Sequence, residues 1–301
     1  AMLRDIGSWD SDFKKITSEI REKLVNILMQ TSNINKIKNS DPYISIPMQG
    51  SGTFSVEAML GTFVPKKNKA LVLSNGSYGE RCSTILNYLG RENDIIDMGD
   101  FLPPDPELLE KKLEQDPHIS HVIVIHCETS SGILNPIKKI SKIVKSFNRS
   151  LLIDSMSAFG AIPIDCAEIE FDALVSSANK CIEGVPGFGF VLTKKSVLEK
   201  SKNNSHSLSL DLYDQWKYLE EKGQWRFTPP THTILGFLSA LNQHASEGGV
   251  LGRLNRYEAN KNILVEGMRD LGFETLLSDK WISPIIVSFL YPPKNGLYHI
   301  P

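Results

Sequence analysis

Short, continuous apolar runs alternate with helical stretches through the middle of the chain. The runs are Ala70 to Ser74 (ALVLS), His121 to His126 (HVIVIH), Leu151 to Ser155 (LLIDS), Ala173 to Ser177 (ALVSS) and Phe188 to Thr193 (FGFVLT). They lack a polar residue at every second position, which is the pattern of strands covered on both faces. Helices are predicted over Glu80 to Leu89, Pro106 to Glu114 and Pro136 to Phe147, entered from SNGSYG, LPPD and SSGILN. Strand–helix alternation of this kind predicts an α/β domain around a mostly parallel sheet, with chemistry at the carboxyl ends of the strands.

The flanks read differently. Upstream, Asp12 to Gln30 has the spacing of an amphipathic helix. Gly50 to Phe63 (GSGTFSVEAMLGTF) reads as a glycine loop entering a helix, with Glu57 in an early turn. Downstream, the polar Lys200 to Ser207 precedes helices predicted over Leu235 to Glu247 and Leu251 to Leu271. GFETLLSD and SPIIVSFLY then read as opening strands of a small α+β domain. The expected organisation is an N-terminal helical segment (1–30), a large α/β domain (31–250) and the start of a small domain (251–301), left incomplete at the end of the sequence.

Composition narrows the function classes. The 301 residues are 41% hydrophobic, with 33 basic against 35 acidic side chains and a net charge of −2. That leaves no electrostatic case for nucleic acid or an anionic membrane. Cys82, Cys127, Cys166 and Cys181 form no C-x-x-C pair and are too sparse for a disulfide scaffold, which suits a reducing cytoplasm. No apolar run reaches the ~18 residues of a membrane-spanning helix, and the first residues lack a signal peptide's apolar core. The expectation is a cytoplasmic protein. No metal-ligand cluster is evident; His126 reads as a strand-end structural histidine and Cys181 as a structural thiol.

Three features fall where a cofactor would sit. Gln49 to Ala58 (QGSGTFSVEA) places small residues at a helix N-terminus, whose free N–H groups and dipole favour a phosphate. A plain capped helix, with Ser51 or Thr53 as cap, is the alternative. Asp154 ends a buried strand, where a carboxylate is costly without a cationic or donor partner. One such partner is a protonated pyridine nitrogen; a loop-bonding aspartate is the other reading. Lys180 follows one strand–helix–strand unit later, on the same rim. A lysine in a desolvated pocket acts as nucleophile and base, whereas a snorkelling lysine would do neither. Together, a phosphate cradle, an aspartate and a lysine are the parts that hold pyridoxal phosphate.

The segments SSANKCIEGVPGFGFV, QGSGTFSVEAMLG, SNGSYGER, HCETSSGILNPI, IDSMSAFGAIPID, SHSLSLDLYDQW and WRFTPPTHT resemble, in order, the 2-aminoethylphosphonate:pyruvate aminotransferases. These form a branch of the fold-type-I, pyridoxal-phosphate-dependent class V aminotransferases, and the resemblance runs from about Ala1 to Pro292. It implies that Lys180 links covalently to the cofactor and then moves a proton, while Asp154 pairs with the ring nitrogen. Ser51, Gly52 and Thr53 would bind the cofactor phosphate, and Tyr78 would stack on the ring. Thr129 would lie near the ring hydroxyl and Asn179 near the phosphate. Thr231 would reach the phosphate of a neighbouring subunit, making a homodimer with shared sites. The implied substrates are 2-aminoethylphosphonate and pyruvate; the implied products are phosphonoacetaldehyde and L-alanine.

The sequence also departs from the family. Relatives begin with a TPGP-like segment that lines the site, and continue past Pro301 with an arginine that binds the substrate carboxylate. Two alternatives therefore stay open: an alanine- or serine:glyoxylate aminotransferase, and a cofactor-binding module without turnover. A cysteine desulfurase fits less well, since no histidine precedes Lys180 and no mobile cysteine loop is evident.

Overall fold

The computed structural model describes residues 1–33, 35 and 41–291. The remaining residues, including 292–301 at the end of the expected small domain, lie outside the description. In chain order the elements are α1 (Ser11–Met29), β1 (Tyr43–Gln49), α2 (Gly52–Phe63), β2 (Lys69–Ser74), α3 (Ser77–Tyr88), β3 (Asn93–Asp97), α4 (Pro106–Gln115) and β4 (Ile119–Ile125). They continue as α5 (Ile137–Ser146), β5 (Ser150–Asp154), β6 (Ala173–Ser177), β7 (Phe188–Lys194), α6 (Lys195–Lys200), α7 (Leu212–Lys222), α8 (Thr231–Ser246) and α9 (Gly249–Asp270).

The strands form one seven-stranded sheet in the order β1-β7-β6-β5-β4-β2-β3. It is parallel except for β7, which runs antiparallel to both β1 and β6. The continuous apolar runs have the cause inferred for them. Leu71 and Leu73 of β2, Val122 and Val124 of β4, and Leu151 and Ile153 of β5 enter a core that includes residues of α1, α4, α5 and α8. Their alternates Ala70, Val72, Ile123 and Leu152 enter a second core with α2, α3 and α7. Side chains alternate across a strand, so helices on both faces demand apolar residues at every position.

Strands β1 and β3 have no counterpart in the apolar pattern. Ser45 and Pro47 interrupt β1, and the edge strand β3 (NDIID) carries acidic residues. Helix α7 was likewise not predicted; Asp211 caps it by accepting from Asp214 N–H. GFETLLSD and SPIIVSFLY do face each other, but through a single antiparallel bridge, Thr275 to Phe289, rather than two regular strands. Leu276 N–H bonds Ser288 O and Leu290 N–H bonds Glu274 O on either side of it. No helix among the described residues is long and apolar enough to cross a membrane.

Candidate active site

A cavity of about 470 Å³ opens where the carboxyl ends of β5 and β6 meet the amino end of α2. Ser51, Gly52, Thr53, Tyr78, Asp154, Asn179 and Lys180 all line it, as the sequence led us to expect.

The start of α2 is shaped by its glycines. Gly50 sits at φ +104°, a left-handed backbone that costs little only without a Cβ, and its N–H bonds Gly187 O at 3.1 Å. Ser51 then takes an extended backbone but makes no side-chain cap bond, so the capped-helix alternative does not hold for it. At Gly52 a Cβ would stand 2.6 Å from Met156 Sδ, so a side chain there would push the Met156 thioether aside. The first N–H groups of α2 have no intrahelical partner, and the positive end of the helix dipole faces the cavity.

Across the cavity, Asp154 ends β5 and is only 2% exposed. Its Oδ1 accepts from Met156 N–H at 2.9 Å. Burial raises its pKa to about 6; the Met156 bond pulls the other way, the nearby Glu128 adds to the rise, and Arg81 and Lys180 oppose it. A carboxylate in that state is poised to take a cationic partner.

Lys180 leaves the end of β6 in a tight turn, with Glu183 N–H on Lys180 O at 2.7 Å and Gly184 N–H on Ala178 O at 2.9 Å. Among the described residues, nothing hydrogen-bonds or ion-pairs with Lys180 Nζ. Beside it, Asn179 Oδ1 accepts from Ser177 Oγ at 3.1 Å.

Tyr78 lies in the first turn of α3, where Gly76 at φ +153° lets the chain pass Glu128 and Ser130 closely. The Arg81 guanidinium lies 4.5 Å from the centre of its ring, and Arg81 Nη1 reaches Thr53 Oγ1 at 3.5 Å. Arg81 lines the cavity and was missed from the sequence. Its signal was there: it follows Tyr78 by three positions on one helix face, just after a glycine loop. Glu128, fully buried, was also missed; its Oε1 accepts from Ser130 Oγ at 2.6 Å and Ser130 N–H at 3.1 Å.

Two expected residues are not among the cavity's lining. Thr129 shares a 2.7 Å hydrogen bond with Ser157 Oγ, just behind the site. Thr231 begins α8, outside the cavity of its own chain. Cys181 is buried with Sγ 3.4 Å from Ser157 O, and His126, buried against Ser155 Oγ at 3.0 Å, has its pKa pulled down to about 4 by desolvation. Both match their structural readings. No group of three or more metal-ligating side chains occurs among the described residues.

These residues fit pyridoxal phosphate. The N-terminus of α2, which carries no side-chain cap and starts on small residues beside Met156, suits the phosphate. The desolvated Asp154 suits a protonated ring nitrogen, and the unpartnered Lys180 amine suits a covalent link.

Comparisons with known proteins agree with this geometry. The family model described as aminotransferase class-V matches residues 9–291. A 2-aminoethylphosphonate–pyruvate transaminase of Rhizobium meliloti (strain 1021) is 57% identical over 292 residues, covering 97% of this chain and 74% of the relative. One from Vibrio vulnificus (strain CMCP6) is 48% identical, covering 99% and 79%. Among solved structures, an alanine–glyoxylate aminotransferase from Nostoc sp. superposes with a TM-score of 0.85 at 21% identity, covering 97% of this chain and 76% of the other. A pyridoxamine–pyruvate aminotransferase from Mesorhizobium loti gives 0.86 at 21% identity, covering 97% and 73%. Those two show the fold, and the family match together with relatives of such identity shows more: the chain belongs to the class V aminotransferases.

Proposed function

We propose that this aminotransferase moves the amino group of 2-aminoethylphosphonate to pyruvate, giving phosphonoacetaldehyde and L-alanine, with Lys180 and Asp154 as its catalytic residues. The observation that carries the site assignment is the convergence of an unpartnered lysine, a buried carboxylate and an uncapped helix N-terminus on one cavity. Bound pyridoxal phosphate supplies an electron-accepting ring that lets a C–H bond beside the donor's nitrogen ionise. Lys180 Nζ takes that proton and delivers it to the carbon on the other side of the nitrogen, acting as general base and then general acid. Asp154 holds the proton on the ring nitrogen, its burial strengthening the pairing. Ser51, Gly52 and Thr53 anchor the phosphate, and Arg81, at Thr53 Oγ1, adds positive charge at that end. Tyr78 offers its ring face to the cofactor, while Thr129 and Asn179 support the ring hydroxyl and the phosphate.

The substrate assignment leans on the identity of the 2-aminoethylphosphonate relatives, far above that of the alanine–glyoxylate neighbour. The assembly we infer is a cytoplasmic homodimer in which Thr231 serves the partner's phosphate. The exposed Phe54 supports it: its side chain stands against Gly50, which lines the cavity, and offers an apolar face to a second copy. A small domain beginning at residue 251 belongs to the same reading.

A panel of amino donors tests the substrate. Alanine should form from pyruvate with 2-aminoethylphosphonate and not with serine. Turnover of serine or alanine with glyoxylate, and none of the phosphonate, would replace this reading with the glyoxylate one.

A further inference from the structure

The turn that presents Lys180 is clamped from outside the cavity. Its last member, Glu183, has φ +61°. Of the described non-glycine residues with positive φ, the other two are Asn148 and Asn203, and asparagine tolerates that region far better than glutamate. Something must hold Glu183 there. Its carboxylate supplies the reason: Oε1 accepts from Arg256 Nη2 at 2.8 Å and Tyr257 Oη at 2.7 Å, and Oε2 lies 3.1 Å from Arg253 Nη1. Arg253, with its side chain 1% exposed, also donates to Cys181 O at 2.6 Å. Glu247 completes the group, with Oε2 2.8 Å from Arg253 Nε and Oε1 2.6 Å from Arg256 Nε.

Helix α9 thus grips the lysine turn at two points, the carbonyl of the residue after Lys180 and the carboxylate three residues after it. The interior of the turn is packed just as closely. At Gly184 a Cβ would stand 2.7 Å from Phe237 Cδ2 and 2.9 Å from Ala178 O. Held at Cys181 O and at the Glu183 carboxylate, the turn fixes where the lysine's backbone stands at the rim of the cavity.

We propose that Glu183 and Arg253 are positioning residues for the transamination: they fix the 180–183 turn so that Lys180 Nζ points into the cavity beside Asp154. The proposal rests on the reading that Lys180 carries the proton transfer. Neither residue lines the cavity, so each acts through the turn. It follows that a shift of α9 along its own axis would be felt at Lys180.

The test compares Glu183→Gly with Glu183→Ala and wild type in the cofactor-loaded chain. Glycine removes the carboxylate but keeps the left-handed backbone, so Glu183→Gly folds even if Glu183→Ala does not. For Glu183→Gly we expect kcat to fall about 10- to 100-fold, the loss that a misplacement of about 1 Å produces, with KM for the amino donor changed less than about threefold. The midpoint of the pH-dependent change in cofactor absorbance should move by about one unit. Wild-type kcat and an unmoved midpoint in Glu183→Gly would overturn the proposal, leaving Glu183 a role in turn folding alone. Lys180→Ala, run in parallel, separates the two levels: activity surviving there sinks the Lys180 reading itself. Loss there with none in Glu183→Gly sinks only the clamp.

Discussion

The two ends of the cavity are built on different physics. At the amino end of α2 the cavity offers main-chain N–H groups and the hydroxyls of Ser51 and Thr53, backed by the exposed Arg81. Each contributes modestly and solvent reaches the group. At the strand-end rim stand two side chains: Asp154, shut away from water, and Lys180, with no hydrogen-bond or ion-pair partner among the described residues. One end spreads its interactions over many small terms, while the other concentrates charge where the local dielectric is low. Losing a single residue should therefore cost little at the first end and most of the activity at the second.

That contrast orders the mutational effects. Lys180→Ala should lower turnover about 10²- to 10⁴-fold, the range lost with a general acid–base group, in a coupled alanine-production assay. Asp154→Asn comes next, at about 10²- to 10³-fold, because a preorganised charge is replaced by a neutral dipole. Arg81→Met at the other end should leave kcat nearly intact. Its effect is a cofactor Kd raised about tenfold, one charge-assisted contact being lost, readable by spectrophotometric titration. A kcat loss in Arg81→Met as large as that of Asp154→Asn would erase the distinction between the two ends.

The smallest effect is on stability. Burial holds the Asp154 pKa near 6 in the folded chain, above the ordinary carboxylate value of 3.8. The folded state therefore binds more protons than the unfolded state between those values, and stability falls as pH rises through that window. The cofactor-free chain should lose on the order of 1–3 kcal/mol from this group between about pH 4 and pH 6. Asp154→Asn should flatten that slope in thermal melts, and an unchanged slope would show that the carboxylate is not desolvated as described.

The same contrast governs what the sequence disclosed. Asp154 stood out because it ends an apolar run, and Lys180 because it follows the small residues Ser176 to Asn179 just past the end of a buried strand. The central strands were legible from their continuous apolar runs. Strand β1 was not, since Ser45 and Pro47 break its run; Pro47 is accommodated opposite Phe190 in the register with β7. Arg81 and Glu128 lie on ordinary-looking helix and loop stretches, and only the packing of α3 against the end of β4 brings Arg81 to the cavity and Glu128 under the first turn of α3. The Glu183–Arg256 pair spans 73 positions. Charges that distant carry no mark in one sequence that they will meet.

In the proposed site, Lys180 and no other amine holds the cofactor. Incubating the chain with pyridoxal phosphate, reducing with borohydride and mapping the peptides by mass spectrometry tests it directly. The reduced pyridoxyl mass is expected on Lys180, in near-stoichiometric amount, and nowhere in Lys180→Ala. A label scattered over surface lysines such as Lys66 or Lys202, with Lys180 unmodified, would contradict it.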